Sequence, residues 1–485
     1  MAVLLGLIVP LLALDETVAP SPPQIEQKQL DALTPAIRRE CEQQKIWGLA
    51  IAVARAGHIL YEHGFGFKDA DKLQPIDPET HFEIGSITKQ FTAAAILQLK
   101  EQGKLSLDDA LAKYVPGFPH SSEISIRQLL NQSSGLTEYT SEPGFDQHQP
   151  GGFEKIVALI EKEPLKFVPG ESWAYSNTNY IALGRVIEVV SGESYRQYIQ
   201  HHLFDPAGMS ESATIDEENS VKNMAIGFAS EPDKPEHVVP ALPCDPGWAW
   251  SAGYIVSTVG DLEKWNTALK NGRIIFPADY ALMTKPFQLP SGSSAHYGFG
   301  LCIGTYFDRG SLNDHVRFWH LGGTLGFSAG DFVFPNDDLD FLILTNQAWK
   351  GRPGIWDIAS TVFETIFPAP PPVDLDLPAP GENLEVTKRF TAVLNALLEG
   401  VLDRNQFSPE LLNNVSSEQL RSFVARFKPF GRPSKIVFKR QLNHEDEDIY
   451  FYRVSFLEEP TNFVLQINKK SGLIDGFFPP ISPRH

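Results

Sequence analysis

The sequence predicts a mixed chain of the α/β (α+β) class, because three features alternate on a scale of whole segments. Strand-like runs come in hairpins near residues 49–61 and 326–345, and the helical period dominates most of what lies between them. A crowd of prolines at 368–380 then isolates a tail that reads as helices followed by a meander, the order of a small α+β domain.

From Gln24 to Gln44 the chain carries helical spacing in Ile25, Leu30, Leu33 and Ile37, which Thr34-Pro35 is expected to interrupt, since proline brings no N–H. Leu49 to Ala54 and Ile59 to Tyr61 read as strands joined by the turn Arg55-Ala56-Gly57. Ile84 to Leu99 is helical and apolar nearly all round, which predicts a buried central helix ended by Gly103. Ser125 to Gln132 and Asn179 to Val190 follow as further helices, each opened by a capping type of residue. Gly326 to Thr345 gives two apolar strands around Pro335-Asn336-Asp337-Asp338, and Ile355 to Ile366 a helix. In the tail, helices are expected at 384–402 and 416–427, then strands at 436–439, 449–456 and 463–467.

Length alone, 485 residues, suggests about three domains, or one large and one small. The proline cluster favours the second: an expected leader at 1–20, a large domain at 24–366, a linker at 367–381 and a tail domain at 382–485. With 42% apolar and 21% charged residues, wholesale disorder, collagen and multi-span membrane proteins are excluded. The net charge of −19 argues against nucleic acid as a partner. That charge is uneven: residues 1–380 hold 27 basic and 47 acidic side chains, a balance of −20, whereas 381–485 hold 14 and 13, a balance of +1. The opening run AVLLGLIVPLLAL is too short to span a bilayer and is followed by Asp15 and a Pro-rich stretch, so an export signal is expected although no basic residue precedes it. Cys41, Cys244 and Cys302 form neither a ligand cluster nor a disulfide framework, and Cys302 reads as a small buried hydrophobe. Without a His-Glu-x-x-His, a Walker loop or a Gly-x-Gly-x-x-Gly, no metal or cofactor is expected.

Chemistry concentrates in three short motifs. Ser86-Ile87-Thr88-Lys89 is the chain's one Ser-x-x-Lys and opens the apolar helix, putting Lys89 a turn beyond Ser86 on one face. Burial there would lower the lysine pKa until a neutral amine can take the serine proton; the bland alternative is an N-cap serine with a solvated lysine. Tyr175-Ser176-Asn177, the one Tyr-x-Asn, would supply a proton relay if neighbouring cations lower the tyrosine pKa, and an amide to hold the lysine or a substrate carbonyl; alternatively it is a turn and a cap. His320-Leu321-Gly322-Gly323 would bring an edge strand close enough for the Gly323 amide to face that of Ser86 as an oxyanion donor. His296-Tyr297-Gly298 competes with it but lacks the second glycine and the following strands. Gly326-Phe327-Ser328-Ala329-Gly330 matches a nucleophile-elbow pentapeptide, yet a hairpin rather than a helix follows, so Ser328 reads as a strand residue.

Taken in order, these elements resemble the serine β-lactamase and penicillin-binding DD-peptidase superfamily, and most of all its class C branch with the family VIII esterases and D-amino-acid peptidases. The phrases FEIGSITKQFTA, ISIRQLLNQSSGL, VPGESWAYSNTNYIALGRVIE, SAGYIVSTVGDLEKW, YGFGL and HLGGTLGF carry the resemblance across residues 45–366. It implies one antiparallel sheet built from the first hairpin and the late strands, a mostly helical subdomain, and a cleft where they meet. It also implies Ser86 as acylated nucleophile, Lys89 as its activator, Tyr175 as general base and leaving-group acid, and Asn177 as the group that orients Lys89 and a substrate amide. Gly322 and Gly323 would bring the backbone to the oxyanion. His320 stands where β-lactamases usually place a lysine, and a partly charged imidazole would hold a β-lactam carboxylate less firmly. Trp248, Trp250 and Tyr254 would line an acyl pocket or else pack as core, with Tyr139 of similar standing, and His201-His202 reads as a solvated helix end. The tail is similar to cystatin-like or NTF2-like modules; its partner is left open.

The expected function is therefore a periplasmic or secreted serine hydrolase of bacterial type, an esterase or D-amino-acid peptidase acting on a small ester, peptide or amide. The alternatives are a cell-wall DD-carboxypeptidase or β-lactamase, and a ligand sensor that acylates without turning over.

Overall fold

The computed structural model describes residues 25–215, 221–231, 234–242, 244–290, 292, 294–307, 314–348, 354–368, 379–414, 431–443, 446–456 and 460–478. The leader, most of the proline cluster and the 416–427 segment lie outside them. Six antiparallel strands form the main sheet, in the order His58–Gly66, Gly48–Arg55, Leu339–Thr345, Ser328–Phe334, Asp314–Gly323, Cys302–Phe307. The first hairpin closes through Ala56 and Gly57, both at positive φ (52° and 78°), the two-residue turn whose twist suits paired strands.

Alternation along the strands divides the core in two. Leu49, Ile51 and Val53 face the Gln27–Gln44 and Ile355–Ile366 helices, where Leu33, Ile37, Ile358, Val362 and Phe363 are buried. Ala50 and Ala52 face the other way, with Leu342 and Leu344, into the core of the Thr88–Glu101 helix, and their small side chains leave it room. That helix is buried on nearly all its faces, from Thr88 to Leu97 without a break, as its apolar sequence predicts.

Three expectations need correction. The first helix runs unbroken from Gln27 to Gln44 with Pro35 inside it: burial of Leu33 and Ile37 on either side outweighs one missing helical hydrogen bond. The strand carrying His320 is an edge only at its end: the unpredicted strand Cys302–Phe307 pairs with its outer side over Asp314 to Trp319 and stops short of His320 to Gly323. Tyr175 and Ser176 do precede a helix, but it begins at Asn177 and runs to Ser191. In the tail, the Leu384–Leu398 helix buries Phe390, Leu394 and Leu397 in one cluster with Tyr452, Val454, Phe463 and Leu465 of a four-stranded meander (Lys435–Asn443, Glu447–Ser455, Pro460–Asn468, Ile474–Phe478). The last of those strands goes beyond the three that the sequence predicts. No helix among the described residues is long and apolar enough to cross a membrane.

Candidate active site

Ser86 sits in a single tight turn, Gly85–Ile87, that leads straight into the Thr88–Glu101 helix. Gly85 has φ +53°, and a Cβ there would lie 2.4 Å from the Gly323 amide nitrogen; one on Gly322 would lie 1.8 Å from the Ile84 carbonyl. Only glycines at these positions let the two backbones touch, so the Gly323 amide comes to rest beside the residue preceding Ser86. Ser86 keeps partial exposure while Gly85 and Ile87 are buried.

Lys89 is fully buried, and its Nζ donates to Ser86 Oγ (3.0 Å), Asn177 Oδ1 (2.7 Å) and the Ala252 carbonyl (2.8 Å). The Ala252 carbonyl is free for this because it lies in the last turn of the Pro246–Gly253 helix, where no helical N–H remains to claim it. Burial pushes the Lys89 ammonium down to about 7, with the Glu138 carboxylate pulling weakly the other way. At neutral pH a large fraction of the lysine is then a neutral amine, which keeps two N–H bonds for Asn177 Oδ1 and the Ala252 carbonyl and turns its lone pair to the Ser86 hydroxyl.

Tyr175 packs over the pair, with the Lys89 Nζ 4.9 Å from its ring centroid and its ring centroid 6.0 Å from that of His320. The expected lowering of its pKa by cations does not occur. Desolvation dominates and holds the phenol well above its usual range, and Lys89, the cation over its ring among the described residues, is itself driven toward neutrality. Asn177 is held from behind: its backbone N–H and its Nδ2 donate to the Glu138 carboxylate at 2.5 and 3.2 Å.

His320 is 4% exposed, and its Nδ1 donates to the Leu321 carbonyl at 2.6 Å. A carbonyl only accepts, so Nδ1 carries the proton, and Nε2 accepts from the Tyr297 hydroxyl at 3.1 Å. Burial, and secondarily the charge of Lys89, push the imidazole down to about 3. The partly charged ring expected from the sequence is therefore a neutral one with both nitrogens engaged.

Ser86, Lys89, Tyr175, Asn177, His320, Gly322 and Gly323 thus converge. The three aromatics expected along the pocket do not join them. Trp248 is buried, its indole N–H bonded to the Gln149 carbonyl and its ring packed on Tyr139 and Phe145. Trp250 and Tyr254 instead line a separate cavity of about 580 Å³ with Glu188, Tyr195 and Arg196, whose walls include none of the convergent residues. Ser328 begins a strand and receives no helix. Burial pushes the Cys302 thiol up to about 12, which leaves it inert. His201 and His202 both face Glu193 at a helix end. Sequence reasoning misses two residues: Glu138, although its neighbour Tyr139 is singled out, and Tyr297, which lies in the rejected His296-Tyr297-Gly298.

Known proteins resemble this chain in sequence and in fold. A family model described as Beta-lactamase matches residues 26–357. Penicillin-binding protein 4* of Bacillus subtilis (strain 168) is 31% identical over 291 residues, 57% of this chain; the match spans 64% of that protein's own length. Among solved structures, D-amino acid amidase from Ochrobactrum anthropi SV3 superposes with a TM-score of 0.61 at 24% identity, over 69% of this chain and 99% of that one. The octameric penicillin-binding protein homologue from Pyrococcus abyssi covers 91% of this chain and 98% of its own, with a TM-score of 0.59 at 23% identity. These two likenesses establish the fold.

Proposed function

The chain belongs to the beta-lactamase family, and from that premise we propose that it is a serine hydrolase working through an acyl-enzyme on Ser86. The observation that carries the proposal is the buried Lys89 amine, with a pKa of about 7, in contact with the Ser86 hydroxyl. In acylation Ser86 Oγ attacks the substrate carbonyl carbon and its proton passes to Lys89 Nζ. Tyr175, kept protonated by burial, gives its proton to the leaving oxygen or nitrogen as the bond to it breaks, and is reprotonated from Lys89 through the cluster. This divides the work that the family resemblance gave to Tyr175 alone: the lysine is the base and the phenol the acid. Water then takes the leaving group's place and releases the acid. The amides of Ser86 and Gly323 hold the oxyanion, and Asn177 orients Lys89 and the substrate amide.

Small neutral esters, D-amino-acid amides and short peptides are the proposed substrate class, acting outside the cytoplasm after export. β-Lactams are disfavoured because His320 is neutral and has no free N–H to offer their carboxylate. The proposed bounds are 24–366 for the catalytic domain and 382–485 for the tail. A fluorophosphonate probe with mass-spectrometric mapping tests the reading. The adduct is expected on Ser86, and Ser86→Ala is expected to lose both labelling and turnover of a short-chain nitrophenyl ester. Labelling elsewhere, or unchanged turnover, refutes it. Running a D-amino-acid amide, a D-Ala-D-Ala peptide and a β-lactam beside the ester ranks the substrates.

A further inference from the structure

We propose that Glu138 is a positioning residue that holds Asn177 in the one orientation able to engage the Lys89 amine. This rests on the assignment of Ser86 and Lys89 made above. Glu138 lies in the loop that becomes the short Tyr139–Ser141 turn, and no motif includes it. Its two carboxylate oxygens divide their work. Oε2 accepts from the Asn177 backbone N–H at 2.5 Å, and Oε1 accepts from Asn177 Nδ2 at 3.2 Å, and from the Thr140 hydroxyl at 2.9 Å and amide at 3.2 Å.

An ionised carboxylate only accepts, so the asparagine amide must turn its Nδ2 toward Glu138 and its Oδ1 toward Lys89, which it meets at 2.7 Å. Flipping the amide would set oxygen against oxygen on one side and N–H against N–H on the other. Gripping the backbone and the side chain of one residue together also fixes where that side chain starts, at the first position of the Asn177–Ser191 helix. Asn177 then holds Nζ from one side, the Ala252 carbonyl from another, and the remaining direction leads to Ser86.

Among the described residues, Glu138 is also the carboxylate whose charge acts on Lys89. Of the titratable groups that face the lysine, Tyr175 and Tyr180 are kept protonated by burial, and His320 is kept neutral. Position and charge can therefore be separated by two substitutions in the full chain, with the nitrophenyl ester as probe.

Glu138→Gln keeps the shape and removes the charge. Its kcat is expected to fall about tenfold with KM within about twofold, and the acid limb of the kcat/KM profile to move about 0.5 to 1 unit lower, because losing a nearby anion lowers an amine's pKa. Glu138→Asp keeps the charge but shortens the reach, and is expected to lose rate with the limb unmoved. An unmoved limb in Glu138→Gln, or a wild-type rate in Glu138→Asp, overturns the proposal; a purely structural role would lower amplitude without displacing the limb. Labelling the wild type with fluorophosphonate keeps the two readings apart. An adduct away from Ser86 removes the underlying assignment, whereas an adduct on Ser86 with an unmoved limb removes Glu138 alone.

Discussion

Lys89 and Gln90 are consecutive residues of one helix, both buried, and each anchors a polar cluster in the same core. Lys89 joins Ser86, Asn177 and the Ala252 carbonyl. Gln90 donates to Asp331 at 2.9 Å and accepts from the Trp265 indole at 3.1 Å, while Asn266 donates to the second Asp331 oxygen at 2.8 Å. Desolvation drives both ionisable groups toward neutrality, Lys89 down to about 7 and Asp331 up to about 6. Their difference is access. One cluster ends on the partly exposed Ser86, the other on residues that are all buried. A perturbed pKa therefore marks desolvation, and it marks chemistry only where a reactive atom links the group to solvent.

The contrast breaks first on kinetics. Tyr175→Phe is expected to lower kcat about 10²-fold or more, as removal of a proton donor does, and Lys89→Ala to cost at least as much. Asp331→Asn, on the sealed cluster, is expected to stay within about tenfold, since it touches no reacting atom. Steady-state rates on the nitrophenyl ester decide it: a near-wild-type Tyr175→Phe would hand the proton donation to Lys89, and a crippled Asp331→Asn that is fully folded would erase the distinction.

The second break is in stability. Asp331 has a folded pKa of about 6 against an ordinary 3.8, so between those values the folded state retains a proton that the unfolded chain has released. Stability then falls as pH rises from about 4 to 6, and the penalty, a few kcal/mol at most, is fully present above that window. Urea midpoints across it should decline for the wild type relative to Asp331→Asn. Parallel curves would mean that the carboxylate is ionised throughout.

Much of this was legible in the sequence where the signal is local. The two hairpins, the apolar helix and the Ser86–Lys89 spacing follow from periods and turn residues that neighbours cannot override. The losses are non-local. Pro35 reads as a break because the packing that retains it comes from residues far along the chain. The Cys302–Phe307 strand is short and diluted by Gly304, and its place beside the His320 strand depends on tertiary pairing. Glu138 meets Asn177 across 39 positions, and the charge state of His320 depends on burial and on Lys89, which lies far back in the chain. Residue types can announce a nucleophile and its base, but not which distant side chain sets their orientation or their charge.

The smallest expected effect lies between the site and the surface around it. Residues 1–380 carry a balance of −20, and His320 contributes no positive charge to offset it. A substrate bearing a carboxylate approaches against this field and, on arrival, finds both imidazole nitrogens already bonded. A neutral ester meets neither obstacle. At low ionic strength the neutral member of a matched ester pair is expected to show about threefold higher kcat/KM, and part of that advantage should fade toward 0.5 M salt as the surface field is screened over about 4 Å. The part that survives high salt reports His320, and His320→Lys should shrink it by restoring a cation. Equal rates at low salt would show that neither the acidic surround nor the neutral imidazole discriminates, and would return β-lactams to the substrate class.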